Sequence, residues 1–364
     1  MKTRFIKNFF IILLLFVSIF FSIASVLSYK TKQVEAKTNE VAEIVMEKNT
    51  NRVLYEKNAS EKKYMASTTK ILTAIIIIEN CDLEEKITIK KETVGIEGSS
   101  IYLEEGEILT VKELLYGLML RSGNDCAETL AVHCSGSISK FADKMNETAK
   151  KIGAINSNFV NPHGLHDDNH YTTAYDLALI SCYALKNDIF KEIVGTKQIK
   201  ISHTKREYDR ILTNKNKLLS DYNGATGIKT GYTKKAGRCL VSSAEKNGME
   251  LITVVLSCPP MFERSKELLN NAFDSYSLKT IVNSSNIIGF VTGRNQKEIP
   301  IYIKEDIRIP LNKKEVNDVK IEYEYPKNAY KKLKKDDLIG FIKIFIKNNL
   351  IFQQKIYIML DEDF

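Results

Sequence analysis

The alternation of hydrophobic and polar positions divides the chain into stretches of different period. The first is an almost uninterrupted apolar run over 9–27, preceded by Lys2, Arg4 and Lys7. Basic charge followed by an apolar segment is the order of an export signal, and about 20 apolar residues also suffice to span a bilayer. Charge ahead of the run keeps the N-terminus in the cytoplasm, so the remainder faces the extracytoplasmic side. Small residues at suitable offsets allow cleavage after Ala24 or after Ala36; a cleaved signal and a retained anchor both fit. Next, residues 43–48 and 52–56 read as two strands around the turn Asn49-Thr50-Asn51 and predict an opening hairpin. A helix is predicted from Ser67 to about Glu79, where Ile71, Leu72, Ala74, Ile75, Ile76, Ile77 and Ile78 make it apolar nearly all round. Such a helix is buried.

Helical spacing of apolar residues continues over 111–120, 125–134, 139–152 and 173–184. Strands return over 227–233 and 238–244, and Asn247-Gly248 is a strong turn signal leading into a third strand over 249–257. A last helix is predicted over 263–273. Strands at both ends with helices between them predict an α+β unit: one antiparallel sheet assembled from the two termini and covered by the helical block. From 279 onward the pattern changes to short β-rich runs at 299–303, 319–325, 339–346 and 355–360 without a helical period. The expected organisation is therefore an export or anchor segment over 1–36, a catalytic domain over 37–278 and a small all-β domain over 279–364.

Composition narrows the class. The 364 residues are 44% hydrophobic and 27% charged, the balance of a soluble globular chain rather than a disordered one. The formal charge of +8 is spread along the chain, with one denser knot at Lys331, Lys332, Lys334 and Lys335. That knot reads as a solvated loop or as a contact for an anionic wall or membrane surface. Nothing in the pattern points to nucleic acid. Cys81, Cys126, Cys134, Cys182, Cys239 and Cys258 show no CxxC spacing and mostly sit in apolar stretches, so buried free thiols are expected.

Ser67-Thr68-Thr69-Lys70 puts a hydroxyl and an amine three residues apart at the head of the buried helix, on one face. A serine hydroxyl needs an adjacent base to attack a carbonyl, and Lys70 is the candidate. Its amine must then lose about three units from a reference pKa of ~10.4, which burial and a neighbouring positive charge supply. Spacing alone does not single out this pair, because Ser60/Lys63, Ser137/Lys140, Ser202/Lys205 and Ser243/Lys246 repeat it. What distinguishes Ser67 is the helix start, whose amides favour developing negative charge. Ser122-Gly123-Asn124 falls between two predicted helices, where a turn with an Asn124 cap is the plain account. Lys229-Thr230-Gly231 occurs once, within a predicted strand, with Gly231 allowing another backbone to approach. An edge strand of this kind can pair with an extended peptide.

S-x-x-K, S-D-N and K-T-G together are the signature of class A β-lactamases and penicillin-binding proteins. Here all three occur in order on helix, loop and strand, with Gly123 in place of the aspartate. With Met65-Ala66 before Ser67, Asp125 after Asn124, Asn161-Pro162-His163-Gly164-Leu165, Tyr171-Thr172-Thr173-Ala174 and Gly227-Ile228-Lys229-Thr230-Gly231-Tyr232-Thr233, the chain resembles the serine D-Ala-D-Ala carboxypeptidases, the low-molecular-mass penicillin-binding proteins. The match covers about 42–276, and the later β domain resembles the family's accessory sandwich more loosely. The resemblance implies a β-lactamase/transpeptidase-like catalytic fold followed by that sandwich. It also implies that Ser67 is the acylated nucleophile, Lys70 its base, Ser122 and Asn124 proton-relay and substrate-binding groups, and Lys229, Thr230, Gly231 and Tyr232 the substrate-binding strand. The amides of Ser67 and Tyr232 would form the oxyanion hole. Arg264 resembles the family's arginine near the terminal carboxylate of the substrate; its alternative is a solvated helix-face residue.

The implied substrate is a peptidoglycan stem peptide and the implied inhibitors are β-lactams. His163, His166 and His170 share a loop, yet no thiolate accompanies them and His163 belongs to the family-like stretch, so no metal and no cofactor are expected. Many members end in an amphipathic membrane helix, whereas 360–364 is short and acidic, so any membrane attachment is expected through the N-terminal segment. Two rivals remain. A β-lactamase of this scaffold needs a residue to activate the deacylating water, and 159–175 contains Asp167 and Asp168 but no glutamate. A catalytically idle wall-binding protein has no need of nucleophile and base together.

Overall fold

The computed structural model describes residues 40–294, 296–329 and 332–361. The export or anchor segment with both cleavage points, Lys331 of the basic knot, and residues 362–364 of the acidic end lie outside the described residues. Among the described residues no helix is long and apolar enough to cross a membrane.

The opening hairpin forms as β1 (Ala42–Glu47) and β2 (Val53–Lys57). A single 3-10 turn over Ala66–Thr69 then leads into α1 (Lys70–Asn80). The helix predicted from Ser67 thus starts three residues later, with the nucleophile candidate on the tighter turn ahead of it. Ile75, Ile76 and Ile77 are fully buried, each contributing roughly 1.5–3 kcal/mol of apolar burial. Short hairpin strands β3 (Lys86–Thr88) and β4 (Ile108–Thr110) follow. The helical block comprises α2 (Val111–Leu120), α3 (Asn124–Ser135), α4 (Ile138–Ile152), α5 (Ala174–Ala184) and α6 (Asp188–Gly195). Thr110 with Glu113 closes a capping box on α2, and Ser137 and Thr173 cap α4 and α5. A second small hairpin, β5 (Gln198–Ile201) with β6 (Arg210–Thr213), and the one-turn helix α7 (Leu218–Asp221) precede the strands that return to the sheet.

Those strands are β7 (Ala225–Thr233), β8 (Gly237–Lys246) and β9 (Met249–Leu256). Asn247 and Gly248 both have positive φ, the two-residue turn their sequence announced. The sheet order is β2-β1-β9-β8-β7, antiparallel where strands pair, so the two termini of the unit meet at β1 and β9. Every residue of β1 and β9 is buried, because helices cover the sheet on both sides. α8 (Met261–Ser275) covers the face opposite the helical block, packing Leu268, Leu269 and Ala272 onto Val45, Leu240 and Val255. Among the described residues β7 has no outer neighbour in the sheet and forms its edge.

The rest is all β. β10 (Tyr276–Val282) starts where α8 ends and pairs with β13 (Ile307–Asn312); β11 (Gly289–Thr292), β12 (Glu298–Tyr302), β16 (Asn349–Ile358), β15 (Leu338–Ile346) and β14 (Val319–Glu324) form a five-stranded sheet in that order. The two sheets enclose a core rich in isoleucine, including Ile301, Ile309, Ile342, Ile344 and Ile356. Arg52, in the turn of the opening hairpin, reaches this part: it donates to the Pro310 carbonyl, pairs with Glu315 and lies over the Tyr276 ring.

Candidate active site

The site is assembled at the head of α1. Ala66 holds a left-handed φ of 48°, costly for a residue with a Cβ, and the turn is tied back on itself: Thr68 donates to the Met65 carbonyl at 2.6 Å and Thr69 to the Ala66 carbonyl at 2.8 Å. Behind it lies the Asn161–Leu165 loop. At Gly164, φ is +87° and a Cβ would sit 1.9 Å from the Ala66 carbonyl oxygen, so only glycine lets this loop brace the turn. Thr73 donates to the Pro162 carbonyl one turn further along α1. Ser67 is thereby left half-buried, with its hydroxyl facing the amine of Lys70.

Lys70 Nζ lies 3.2 Å from Ser67 Oγ, 2.7 Å from Asn124 Oδ1 and 2.7 Å from the His163 carbonyl oxygen. Asn124, the first residue of α3, also donates through Nδ2 to the Glu97 carbonyl, which fixes its oxygen toward the lysine. Burial drives the Lys70 amine well below its ordinary pKa and the Lys229 amine drives it further; Cys126 opposes the fall, and Lys215 and Asp125 act in opposite directions after it. Lys229 is brought down to about 7, by burial first and by Lys215 second. Its amine donates to the Thr230 carbonyl.

Ser122 joins α2 to α3 with φ +65° and is almost fully buried. Among the described residues its hydroxyl has no hydrogen-bond partner. An unpaired buried hydroxyl costs about 1–3 kcal/mol, and a left-handed non-glycine backbone adds a similar amount. The fold carries this cost two residues from the side chain that contacts Lys70. On the opposite wall, β7 runs past Ser67: a Cβ at Gly231 would lie 3.1 Å from the Met65 carbonyl oxygen and from the amides of Ser67 and Thr68. Thr230 is half-buried and Tyr232 is 62% exposed at the rim.

Ser67, Lys70, Asn124, Lys229 and Gly231 are thus gathered around one point, with Ser122 beside Asn124 and Thr230 and Tyr232 on the bordering strand. Arg264 is not. It sits in the first turn of α8, bidentate to Glu43 of β1 with both distances 2.8 Å, and paired with Glu267 at 2.7 Å. In the sheet β1 is separated from β7 by β9 and β8, three strand spacings or about 14 Å. In this arrangement the guanidinium ties α8 to β1.

The three loop histidines serve separate partners. His163 accepts from the Leu165 amide and contacts Glu128; His166 contacts Asp168; His170 accepts from the Val160 amide and meets Thr69 Oγ1 at 2.8 Å, with burial pulling its pKa down to about 3. All six cysteines are free thiols; Cys81 and Cys134 are only half-buried, the other four buried as expected.

The roles of three groups escaped the sequence, although Asp125 and His163 stand in the family-like stretches. Asp125 accepts from Ser100 Oγ and from the Ile101 and Leu103 amides, folding the 99–103 loop over the entrance. Lys215, 3.0 Å from Ser99 Oγ, adds the positive field felt by both catalytic-site lysines. The His163 carbonyl contributes a backbone atom, invisible in residue identity.

Comparison with known proteins follows the geometry. The family pattern described as D-alanyl-D-alanine carboxypeptidase matches residues 28–259, and that of the penicillin-binding protein 5 C-terminal domain matches 276–363. The chain belongs to the D-alanyl-D-alanine carboxypeptidase family. Its relatives include the D-alanyl-D-alanine carboxypeptidase DacF of Bacillus subtilis, 35% identical over 85% of this chain and 83% of that protein. DacA of Haemophilus influenzae is 30% identical over 87% and 84%. Among solved structures, penicillin-binding protein 5 of Haemophilus influenzae superposes with a TM-score of 0.75 at 27% identity, covering 88% of this chain and 96% of that one. A mutant of the Streptomyces K15 DD-transpeptidase superposes with a TM-score of 0.62 at 33% identity over 65% and 99%. This carboxypeptidase-family chain is a peptidase hydrolase of the low-molecular-mass penicillin-binding group, with the expected α+β unit and C-terminal β domain.

Proposed function

We propose that the chain removes the terminal D-alanine from peptidoglycan stem pentapeptides through an acyl-enzyme on Ser67. The environment of Lys70 Nζ carries this assignment. A neutral amine has two hydrogens and one lone pair; Asn124 Oδ1 and the His163 carbonyl accept the two hydrogens, and the lone pair is left for the Ser67 hydroxyl. As Ser67 Oγ bonds to the carbonyl carbon, its proton passes to Lys70 Nζ. Negative charge on the carbonyl oxygen is received by the amides of Ser67 and Tyr232, where losing one donor typically costs ~100- to 1,000-fold in rate. The C–N bond then breaks and the departing D-alanine amine takes a proton, relayed through the Ser122 hydroxyl, which has no hydrogen-bond partner among the described residues. Water attacks the ester with Lys70 again as base, releasing the shortened peptide. Lys229, Thr230, Gly231 and Tyr232 hold the substrate as an added strand on the free edge of β7.

β-Lactams enter as substrate mimics that acylate Ser67 and leave slowly. Asp167 caps the Asn169 amide and Asp168 pairs with Tyr64 and His166, so neither supports the water activation of a β-lactamase. We assign 37–278 to catalysis and 279–364 to an accessory β domain, with the change falling inside β10. The substrate class and the basic-then-apolar N-terminal pattern support an extracytoplasmic location, membrane-held or released according to the fate of residues 1–36. The test is to label the purified ectodomain with a tagged penicillin, map the adduct, and assay D-alanine release from a stem pentapeptide. A long-lived adduct on Ser67, absent in Ser67→Ala, with D-alanine release is expected. Rapid penicillin turnover would indicate a β-lactamase, and folded protein with neither adduct nor release an idle binding module.

A further inference from the structure

The two helices that present Lys70 and Asn124 also meet at their far ends. α1 runs from Lys70 to its C-cap at Cys81, and α3 from Asn124 to Cys134 in its last turn. Both spans are about 15 Å at 1.5 Å per residue, so the Lys70–Asn124 contact at 2.7 Å has a counterpart at the opposite ends. There the thiols of Cys81 and Cys134 hydrogen-bond to each other. Flanking contacts hold the segments together: His133, next to Cys134, meets Glu85 at 3.2 Å, and Lys144 of α4 donates to Asn80 Oδ1 at 2.8 Å.

The proposed acylation uses neither thiol. Both are half-buried, whereas Cys126, Cys182, Cys239 and Cys258 are buried, and burial pushes the thiols of those four up. The hydrogen bond from Cys81 draws the Cys134 thiol below its ordinary range, against burial and with help from Ser135, Lys144 and His133. Cys81 is pushed up by the same bond and by burial. A cysteine inclined to the thiolate beside a second thiol, neither of them fully buried, is the arrangement of an attacking and a resolving cysteine. Both also sit where a helix ends. Cys81 has extended backbone and the left-handed Gly136 closes α3 just after Cys134, so drawing the sulfurs together moves helix ends rather than helix heads.

We propose that Cys81 and Cys134 are a redox site, closing a reversible disulfide that clamps α1 to α3 at the end opposite Lys70 and Asn124, by exchange with a disulfide oxidant. The Cys134 thiolate attacks one sulfur of the oxidant and expels the other half as a thiolate. Cys81 then gives up its proton and attacks the Cys134 sulfur, expelling the second half. One S–S bond breaks for the one that forms, the two cysteines lose two electrons, and the oxidant leaves as two thiols carrying the two protons the cysteines released. The bond closes a long loop in the unfolded chain and so stabilises the fold. The inference rests on the proposed extracytoplasmic location, where disulfides persist, and not on the carboxypeptidase reading.

The test compares the full-length chain, purified under dithiothreitol, before and after exposure to oxidised glutathione. Expected are the loss of two of the six titratable thiols, a peptide linking Cys81 to Cys134 in the non-reduced map, and a melting temperature higher by about 5–10 °C, all reversed by dithiothreitol. Penicillin labelling at room temperature should stay within about twofold. Cys81→Ser should instead keep a glutathione adduct on Cys134, with no rise in melting temperature. Wild type that retains six thiols, pairs other cysteines or stops at the glutathione adduct would overturn the proposal. So would a Cys81–Cys134 bond that leaves the melting temperature unchanged or takes labelling outside that range. These comparisons are made within wild type, so they decide the matter whether or not Cys81→Ser folds. If neither form labels with penicillin, the assignment of Ser67 fails, while thiol count and melting temperature still decide the clamp.

Discussion

Two lysines buried within one site act on each other. Lys70 is driven well below its ordinary pKa mainly by burial, and Lys229 keeps a proton only up to about pH 7, under pressure from burial and then from Lys215. The acylation rate is therefore expected to stay high as pH falls from neutrality until Lys70 protonates, and to decline above pH 7 as Lys229 loses its charge. Replacing Lys215 with alanine removes a like charge, so the pKa of Lys229 rises and the alkaline limb moves to higher pH; the pH profile of the second-order acylation constant reads this directly. A limb that does not move would show that Lys215 acts only through its contact with Ser99. Ser122 makes a second expectation. Ser122→Gly relieves the positive φ and removes the orphaned hydroxyl, so the variant should be more stable by about 1 kcal/mol while its kcat/KM falls at least a hundredfold, measurable by chemical denaturation and by penicillin labelling.

What was legible at this scale had a short sequence range. The Ser67/Lys70 spacing is a helical geometry and could be placed before any fold was known. Lys215 could not, because its importance depends on which strand or loop lies beside it. The partners of Arg264 were hidden for the same reason: a helix-face arginine looks alike whether it meets solvent or a glutamate on a neighbouring strand.

At the scale of elements, long periodic segments were readable and short ones were not. The boundaries of α2 and β9 fall within a residue of their expected positions, whereas β3 to β6 span only three or four residues each and show no usable period. Yet two of those strands frame the loop that Asp125 and Arg210 hold over the site. The turn carrying Ser67 depends on close packing from two sides, and each side gives an expectation. Gly164→Ala would drive a Cβ into the Ala66 carbonyl at a disfavoured φ, so it should cost more than about 3 kcal/mol and abolish penicillin labelling. Gly231→Ala, with contacts at 3.1 Å, forces a smaller shift; the protein should fold, with acylation slowed about tenfold or more because β7 is pushed from the nucleophile. Normal acylation of Gly231→Ala would mean that β7 is not held against the Ser67 turn.

For the whole molecule, the pattern change near 279 marked a second architecture, but its docking was hidden because Arg52, in the first hairpin, contacts residues more than 250 positions away. Arg52→Ala removes the ion pair with Glu315, the bond to the Pro310 carbonyl and the stacking on Tyr276. Calorimetry should then show unfolding resolved into two transitions, with acylation of Ser67 within about twofold of wild type. A single unshifted transition would show that the accessory part is held by other contacts.

The sheet of the catalytic part stops at β7, one partner short of closure. On the proposed reading each bound peptide supplies that missing member and each departing product withdraws it, so turnover alternately completes and exposes a rim of main-chain groups. Deuterium uptake along 229–233 should accordingly slow while Ser67 carries a penicillin and quicken again on its release, reporting occupancy from the scaffold rather than from the chemistry.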